Sequence, residues 1–408
     1  MPIFISAPIV RKDVLISRIE ASADVEFVRS GDFRIRYRGA DLSGLPPGIL
    51  SVPAVGAMAG AAMALGTTIE VEEIDGDFAA SVEATCPHWR KWYPGFSASG
   101  FAINGRRAAH RAAATGRDIM LYSGGVDAVA TLLRNRASVS DLACLWGADI
   151  PFRREDLWDL LQSTIQGTGA VDRLPLHVVR TNMRKFIAGA ELSSRHVEAG
   201  KQSWWMKVQH GAALISCVAP LAWLQGARRI LIAGSHSPEF SEPWGSNPVT
   251  DQMIGIGGMT VSHDSYDLTR QGKISRVIAP AVAGGERVKL AVCYQSVREN
   301  GQINCGRCEK CIRTATGFMA AGLDPAEVGL TVDPQVLSGW QAGLASGRRR
   351  LSDNEHFMWT DIQAGLGGDY AHHPPHVRAY LAWLEAFDFD VLKGKPTDRP
   401  VIEPIISD

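Results

Sequence analysis

A serine, two glycines and an aspartate, Ser123-Gly124-Gly125-Val126-Asp127, come directly after the apolar run Ile119-Met120-Leu121-Tyr122, and Val126 to Arg134 then has helical character. A turn in that setting presents backbone N–H groups and a helix N-terminus to an anion. Glycine lets the backbone approach phosphate oxygens more closely than a residue with a side chain does. Ser123 adds a hydroxyl donor, and Asp127, in the first helical turn, is kept ionised by the helix dipole and could hold Mg²⁺. The expected nucleotide contacts are Ser123, Gly124, Gly125, Val126, Asp127 and Ala128, with Ser123 and Asp127 nearest the chemistry. No Gly-Lys-Ser/Thr ending is present, which sets this loop apart from that of γ-phosphate hydrolases. It suits instead the pyrophosphate that departs when a substrate oxygen attacks the α-phosphate of ATP and an adenylate forms. The plainer alternative is an ordinary strand-to-helix turn; the strand–loop–helix context favours the nucleotide.

A second group of residues points to metal. Cys305, Cys308 and Cys311 are spaced so that three thiolates share one turn, and Cys293 can close a tetrahedron around Zn²⁺. Four protein ligands leave no open position, so the expected role is structural. An iron–sulfur cluster uses the same three-cysteine spacing, but the segment lacks a Cys-Pro ending and its loop is charged, which favours zinc. Cys86, Cys144 and Cys217 stand alone in apolar or mixed surroundings and read as small core residues.

Together these segments resemble the 7-cyano-7-deazaguanine synthases of the ATP-pyrophosphatase family. The likeness runs through Ser123-Gly124-Gly125-x-Asp127, Cys293-Tyr294, Cys305-Gly306-x-Cys308-x-x-Cys311-x-Arg313 and on to Gly322-Leu323. The resemblance implies that Ser123, Gly124, Gly125 and Asp127 bind ATP phosphates and that the four cysteines bind zinc. It also implies that a carboxylate such as 7-carboxy-7-deazaguanine is adenylated and then attacked by ammonia. Ala128 stands where the family's loop ends in Ser, and the chain carries regions before and after the shared part that a stand-alone synthase lacks. Those additions suggest a different acceptor, such as a protein amine or a tRNA, in a defence or modification pathway. A catalytically reduced nucleotide-binding or scaffold protein is the alternative from another class.

Other residues can be placed near such a site. Gly234-Ser235-His236 comes after the apolar run Ile230 to Ala233, and ligands of open α/β sheets bind at strand C-termini, so Ser235 and His236 are expected to line the pocket or to form a plain loop. Asp251, in a turn-rich segment from Trp244, is a possible second Mg²⁺ ligand. Lys207 and His210 lie one turn apart on a helix, where core packing is the commoner outcome. Arg270 and Lys273 read as a solvated basic face that could instead meet phosphates. The stretch Trp89 to Tyr93 mixes bases with aromatics. It can contact RNA, although a helix end packing its tryptophans inward explains it better.

The elements that must position these residues are read from hydrophobic pattern. Ile119 to Tyr122, Leu142 to Leu145, Leu176 to Val179 and Ile230 to Ala233 are short apolar runs with little alternation, as strands buried on both faces are. They predict an α/β fold with a doubly wound parallel sheet, in which Trp204 to Leu224 is a buried crossover helix and Lys289 to Val292 a further strand. In the N-terminal part, Val25 and Phe27 and then Phe33, Ile35 and Tyr37 alternate around Ser30-Gly31-Asp32 as a hairpin. A helix over 56–65, a strand around Ile69 and Val71, and a linker or connecting helix over 105–116 complete it. The 408 residues exceed one ordinary core, and the expected division is a small α+β unit at 1–114, the adenylating domain at 115–325 and a helical region at 326–408. A net charge of −1 argues against whole-molecule capture of nucleic acid. The start of the chain lacks a signal-peptide pattern and the uncharged run 51–69 is rich in small residues, so a cytoplasmic protein with a buried helix and no membrane partner is expected. A homodimer is compatible with the sequence, which does not fix the oligomeric state.

Overall fold

Apolar residues at successive positions of a strand must find cover on both of its faces, and Ile119, Met120 and Leu121 do: all three are buried, the odd-numbered pair in one core and Met120 in another. The structure, a computed structural model, describes residues 2–113, 115–198, 203–293, 301–368 and 370–392. In chain order the strands are β1 (Ile3–Ile5), β2 (Ile9–Arg11), β3 (Val14–Ala21), β4 (Gly31–Tyr37), β5 (Thr68–Asp75) and β6 (Ala102–Ala108), then β7 (Asp118–Leu121), β8 (Val139–Trp146), β9 (Leu176–Thr181), β10 (Arg229–Ala233), β11 (Gly255–Ile256) and β12 (Met259–Asp264). All join one sheet of order β11-β12-β10-β7-β8-β9-β4-β3-β1-β5-β6, with β2 attached to β3.

Strands β7, β8, β9, β10 and β12 are mutually parallel. Their spatial order, β9-β8-β7-β10-β12, is the 3-2-1-4-5 arrangement of a Rossmann-like doubly wound sheet, in which the chain reverses direction between the first and fourth strands. The crevice outside the carboxyl ends of β7 and β10 is therefore the place where such a sheet offers a ligand site.

The helices are α1 (Pro47–Leu65), α2 (Gly76–Trp92), α3 (Val126–Asn135), α4 (Glu155–Gln166), α5 (Gly169–Asp172), α6 (Gly189–His196), α7 (His210–Leu224) and α8 (Pro248–Asp251), and then α9 (Arg270–Lys273), α10 (Ala279–Ala283), α11 (Glu309–Ala320), α12 (Pro334–Ala345), α13 (Asp353–Ala364) and α14 (Pro375–Ala386). One face of the sheet is covered by α1 and α7, the other by α3 and α11 to α14. Among the described residues α1 alone is long and apolar enough to cross a membrane, with a mean hydropathy of 1.8, yet 89% of that window is buried inside the protein. Its small residues serve close helix packing: a Cβ on Gly56 would lie 1.8 Å from Ser216 Oγ on α7. Pro47 starts α1 and Gly66, at φ 64°, ends it in the left-handed conformation.

Several local expectations differ from the elements that form. The partner of β4 is β3, not the segment at Val25 and Phe27, where Phe27 takes φ 66° and leaves the strand conformation. Residues 102–108 form the edge strand β6 in place of the start of a linker, because Ile103 is buried against β5 while its neighbours face solvent. Trp204 to Leu224 is a π-helical turn, Trp205–Gln209, leading into α7. Residues 289–292 form no strand among the described residues; Leu290 N–H bonds Val328 O and Ala291 N–H bonds Gly124 O. The N-terminal unit is not set apart from the parallel strands, since β4 pairs antiparallel with β9, and Arg34 N–H donates to Asn182 Oδ1 148 residues later.

Candidate functional site

The turn after β7 places Ser123 in solvent and Gly124 at φ 75°. A Cβ at Gly124 would press on Ile165 Cγ1 at 3.1 Å and Ala291 Cβ at 3.4 Å, so glycine is required by conformation and by crowding. Gly125 begins α3 without a side-chain cap, and the N–H groups of Val126, Asp127 and Ala128 fall in the first turn, which has no intrahelical acceptors. The side chains of Val126 and Ala128 are buried in the core, so only their backbone can meet a ligand.

Asp127 is engaged on both oxygens. Lys273 Nζ is 3.0 Å from Oδ1 and Arg270 Nη2 is 2.5 Å from Oδ2. Burial raises the pKa of the carboxyl, and the two cations more than reverse this, holding it at about 2. Each oxygen thus faces one cation, and the carboxylate's charge is compensated within the protein. Arg270 and Lys273 are thus not a solvated face: the Lys273 side chain is fully buried and also donates to Gly234 O at 2.5 Å, at the end of β10. Burial, partly offset by Asp127, depresses the Lys273 pKa. The guanidinium of Arg270 is half satisfied, since its Nε is buried and has no partner. Sequence reasoning undervalues this pair; the i, i+3 spacing of two bases directly before the apolar Ile274 is the available signal.

Around the other side of the crevice, Ser235 is half-buried and His236 is buried. Burial pushes the His236 pKa down to about 4 against the pull of Glu242, whose Oε1 lies 3.8 Å away, so the imidazole is neutral near pH 7. Lys207 pairs with Glu242 at 2.5 Å and sits 4.9 Å over the Trp244 ring. Asp251 is buried and accepts from Ser246 Oγ at 2.6 Å while bonding His263 Nδ1 at 2.9 Å, so it braces the loop. In the Trp89 to Tyr93 segment, Trp89 and Tyr93 are buried, Trp92 is half-buried and Lys91 is exposed, and the carbonyls of Lys207 and Pro243 both lie within hydrogen-bonding distance of the Tyr93 hydroxyl.

The four sulfurs of Cys293, Cys305, Cys308 and Cys311 lie within 4.8 Å of one another, with 3.7 Å between Cys293 and Cys308 and 3.9 Å between Cys305 and Cys311. A tetrahedral Zn²⁺ with Zn–S bonds of about 2.3 Å sets its sulfurs about 3.8 Å apart, so this cluster can hold a metal ion such as zinc. Asn304 fixes the two halves of the cluster to each other, accepting from Val292 N–H and donating to Leu290 O. Cys308 is the N-cap of α11 and Cys311 lies in its first turn, buried. Behind them Glu309 Oε1 accepts from Trp359 Nε1 at 3.0 Å, tying α11 to α13. Asp361 of α13 in turn accepts from Gln271 N–H in α9, beside Arg270. The cysteine cluster and the crevice thus share one brace. Searches against family models, curated proteins and solved structures returned no significant match for this chain.

Proposed function

We propose that this chain is an ATP-dependent adenylating enzyme related to the 7-cyano-7-deazaguanine synthases, activating a carboxylate for attack by an amine. The observation that carries the proposal is the half-satisfied Arg270 guanidinium, held against Asp127 at the switch point of the parallel sheet and next to an uncapped helix N-terminus. A buried donor without an acceptor is costly, and a phosphate oxygen would supply the acceptor. In this reading the backbone of Ser123 to Ala128 cradles the phosphates, Ser123 donates its hydroxyl, and Arg270 and Lys273 offset the charge that grows on the departing pyrophosphate. Asp127 fixes those two cations in place, and Mg²⁺ would arrive with the nucleotide. Ser235 and His236 form the opposite wall.

An oxygen of the acid attacks the α-phosphorus, pyrophosphate leaves, and the acyl-adenylate then loses AMP to ammonia or to a protein amine. The cysteine cluster, with zinc as its metal, holds α11 and through it the brace behind α9. A tRNA acceptor is less well supported, because two of the aromatics that would stack on its bases, Trp89 and Tyr93, are packed inside the protein.

The test is release of pyrophosphate and AMP from ATP in the presence of candidate acids and amines. Nucleotide binding without either product would favour the reduced nucleotide-binding alternative. No nucleotide affinity at all would sink both.

A further inference from the structure

Strands β1, β3, β4 and β5 bury alternate residues, among them Ile3, Leu15, Phe33 and Ile69, in the core beneath α1. The residues between these lie on the opposite face of the sheet, where they are exposed or half-buried. Strand pairing sorts that face by charge. Glu20, Phe4, Glu70 and Asn104 stand opposite one another, in that order, on neighbouring strands. Six residues along β3 a second rung holds Arg11, Val14 and Arg36, and Ile9, Ile16 and Arg34 form a rung between the two.

At the acidic rung the sheet is cupped. Phe4, Arg18, Glu20, Glu70, Glu72 and Asn104 line an open cavity of about 410 Å³. Arg18 is divided between Glu20 and Asp32, so three carboxylates face a single arginine and the cup stays acidic. Phe4 is 47% exposed there, an unusual position for a large apolar ring. An aromatic ring flanked by carboxylates suits a guanidinium, through cation–π contact and charge-assisted hydrogen bonds. At the other rung Arg34 and Arg36 are met by Asp32 and Asp13. Arg11, at the exposed tip of the β2 to β3 hairpin, forms no ion pair among the described residues. The cup of its own chain lies six residues of β3 away, roughly 20 Å, which is beyond the reach of a side chain.

We propose that this face is an interface between two copies of the chain, each placing Arg11 in the acidic cup of the other. Strands β1 and β2 follow one another along the same side of β3, so Phe4 and Arg11 share a column. A two-fold axis that lies in the interface and crosses β3 at Ser17 exchanges position 14 with position 20. Arg11 of each copy then falls on Phe4 of the other, between Glu20 and Glu70, and both contacts form at once. Ile9 and Ile16 come close to the axis and give the contact an apolar middle. Five strand columns and eight residues of length present a face of roughly 600 Å² per copy. Doubled, that is at the low end of specific interfaces, as suits a reversible dimer. A net charge of −1 leaves little long-range repulsion between copies.

Sedimentation equilibrium of the full chain should show reversible association from 44.1 kDa toward twice that mass at micromolar concentrations, weakening as salt is raised. Arg11→Glu should lower the association constant by about tenfold or more, and so should Glu20→Lys combined with Glu72→Lys, since each sets like charges face to face. Mixed in equal amounts, R11E and E20K/E72K should associate as the wild type does, because both contacts are then complementary again. The three substituted side chains are exposed, and thermal unfolding of each variant establishes that it is folded. A chain that stays monomeric, an association untouched by either charge reversal, or a mixture that fails to recover it overturns the interface. Binding of an arginine-rich peptide by a chain that stays monomeric would give the cup to a different partner and overturn it equally.

Discussion

Charge placement decides the behaviour of single residues here. Asp127 neutralises Lys273, a lysine with no exposed side chain, so Asp127→Asn should destabilise the fold by about 3–5 kcal/mol in urea denaturation, the usual effect of stranding one partner of a buried pair. The pH dependence has a definite sign. The carboxyl's folded pKa of about 2 lies below its ordinary 3.8, so its contribution is complete above about pH 4 and fades as pH falls toward 2. The gap in stability between wild type and D127N should narrow over that window. His236 has the opposite protonation preference: its folded pKa of about 4, against 6.5, means that the unfolded chain binds the proton first. Stability should therefore fall between pH 6.5 and 4, and His236→Gln should flatten that part of the profile. The phosphate loop is visible in the sequence because glycine and strand–helix context carry their own signature. Arg270 and Lys273 are obscure there, because whether a base is solvated or buried depends on elements far away in the chain.

Among the elements, the buried parallel strands are legible, since an apolar run without alternation has few other uses. Strand β4 is legible, but its partner is not: β3 is recognised only once turn conformations such as that of Phe27 remove the nearer competitor. Helix α1 declares itself by composition, and its glycine spacing makes a sharp expectation. Gly56→Val would force a side chain into Ser216 and should lower stability by about 1–3 kcal/mol or prevent folding, measured by thermal unfolding against Gly44→Val, where the added side chain meets open space. The cysteine cluster predicts close to one bound zinc per chain. Cys305→Ser should remove most of it in a colorimetric zinc assay and lower the unfolding midpoint, because metal affinity is coupled to folding. Glu309→Gln should keep the metal yet loosen α13, separating the two roles of α11.

At the scale of the molecule, the three regions expected from sequence meet in shared structure. Beyond the sheet continuity through β4 and β9, the C-terminal helices complete the core around α11: Thr316 bonds the Tyr380 hydroxyl, and Trp359 stacks on Trp340 at 5.5 Å. A chain ending at residue 330 should accordingly be insoluble or lack a cooperative transition, as judged by thermal unfolding of the truncated protein. Sequence patterns cannot show such sharing, because each segment's apolar face looks the same whether it meets a local or a distant partner.

The antiparallel junction between β4 and β9 also bears on how the protein is made. While a ribosome is still working through the first hundred or so codons, β4 has an open edge and α1 lacks the helix that covers it. Neither is relieved until a stretch well over a hundred codons downstream has emerged. The nascent chain thus presents an adhesive strand and an oily helix for much of its synthesis, which makes protection by a chaperone, or slow translation ahead of β9, part of what this architecture demands of its host cell.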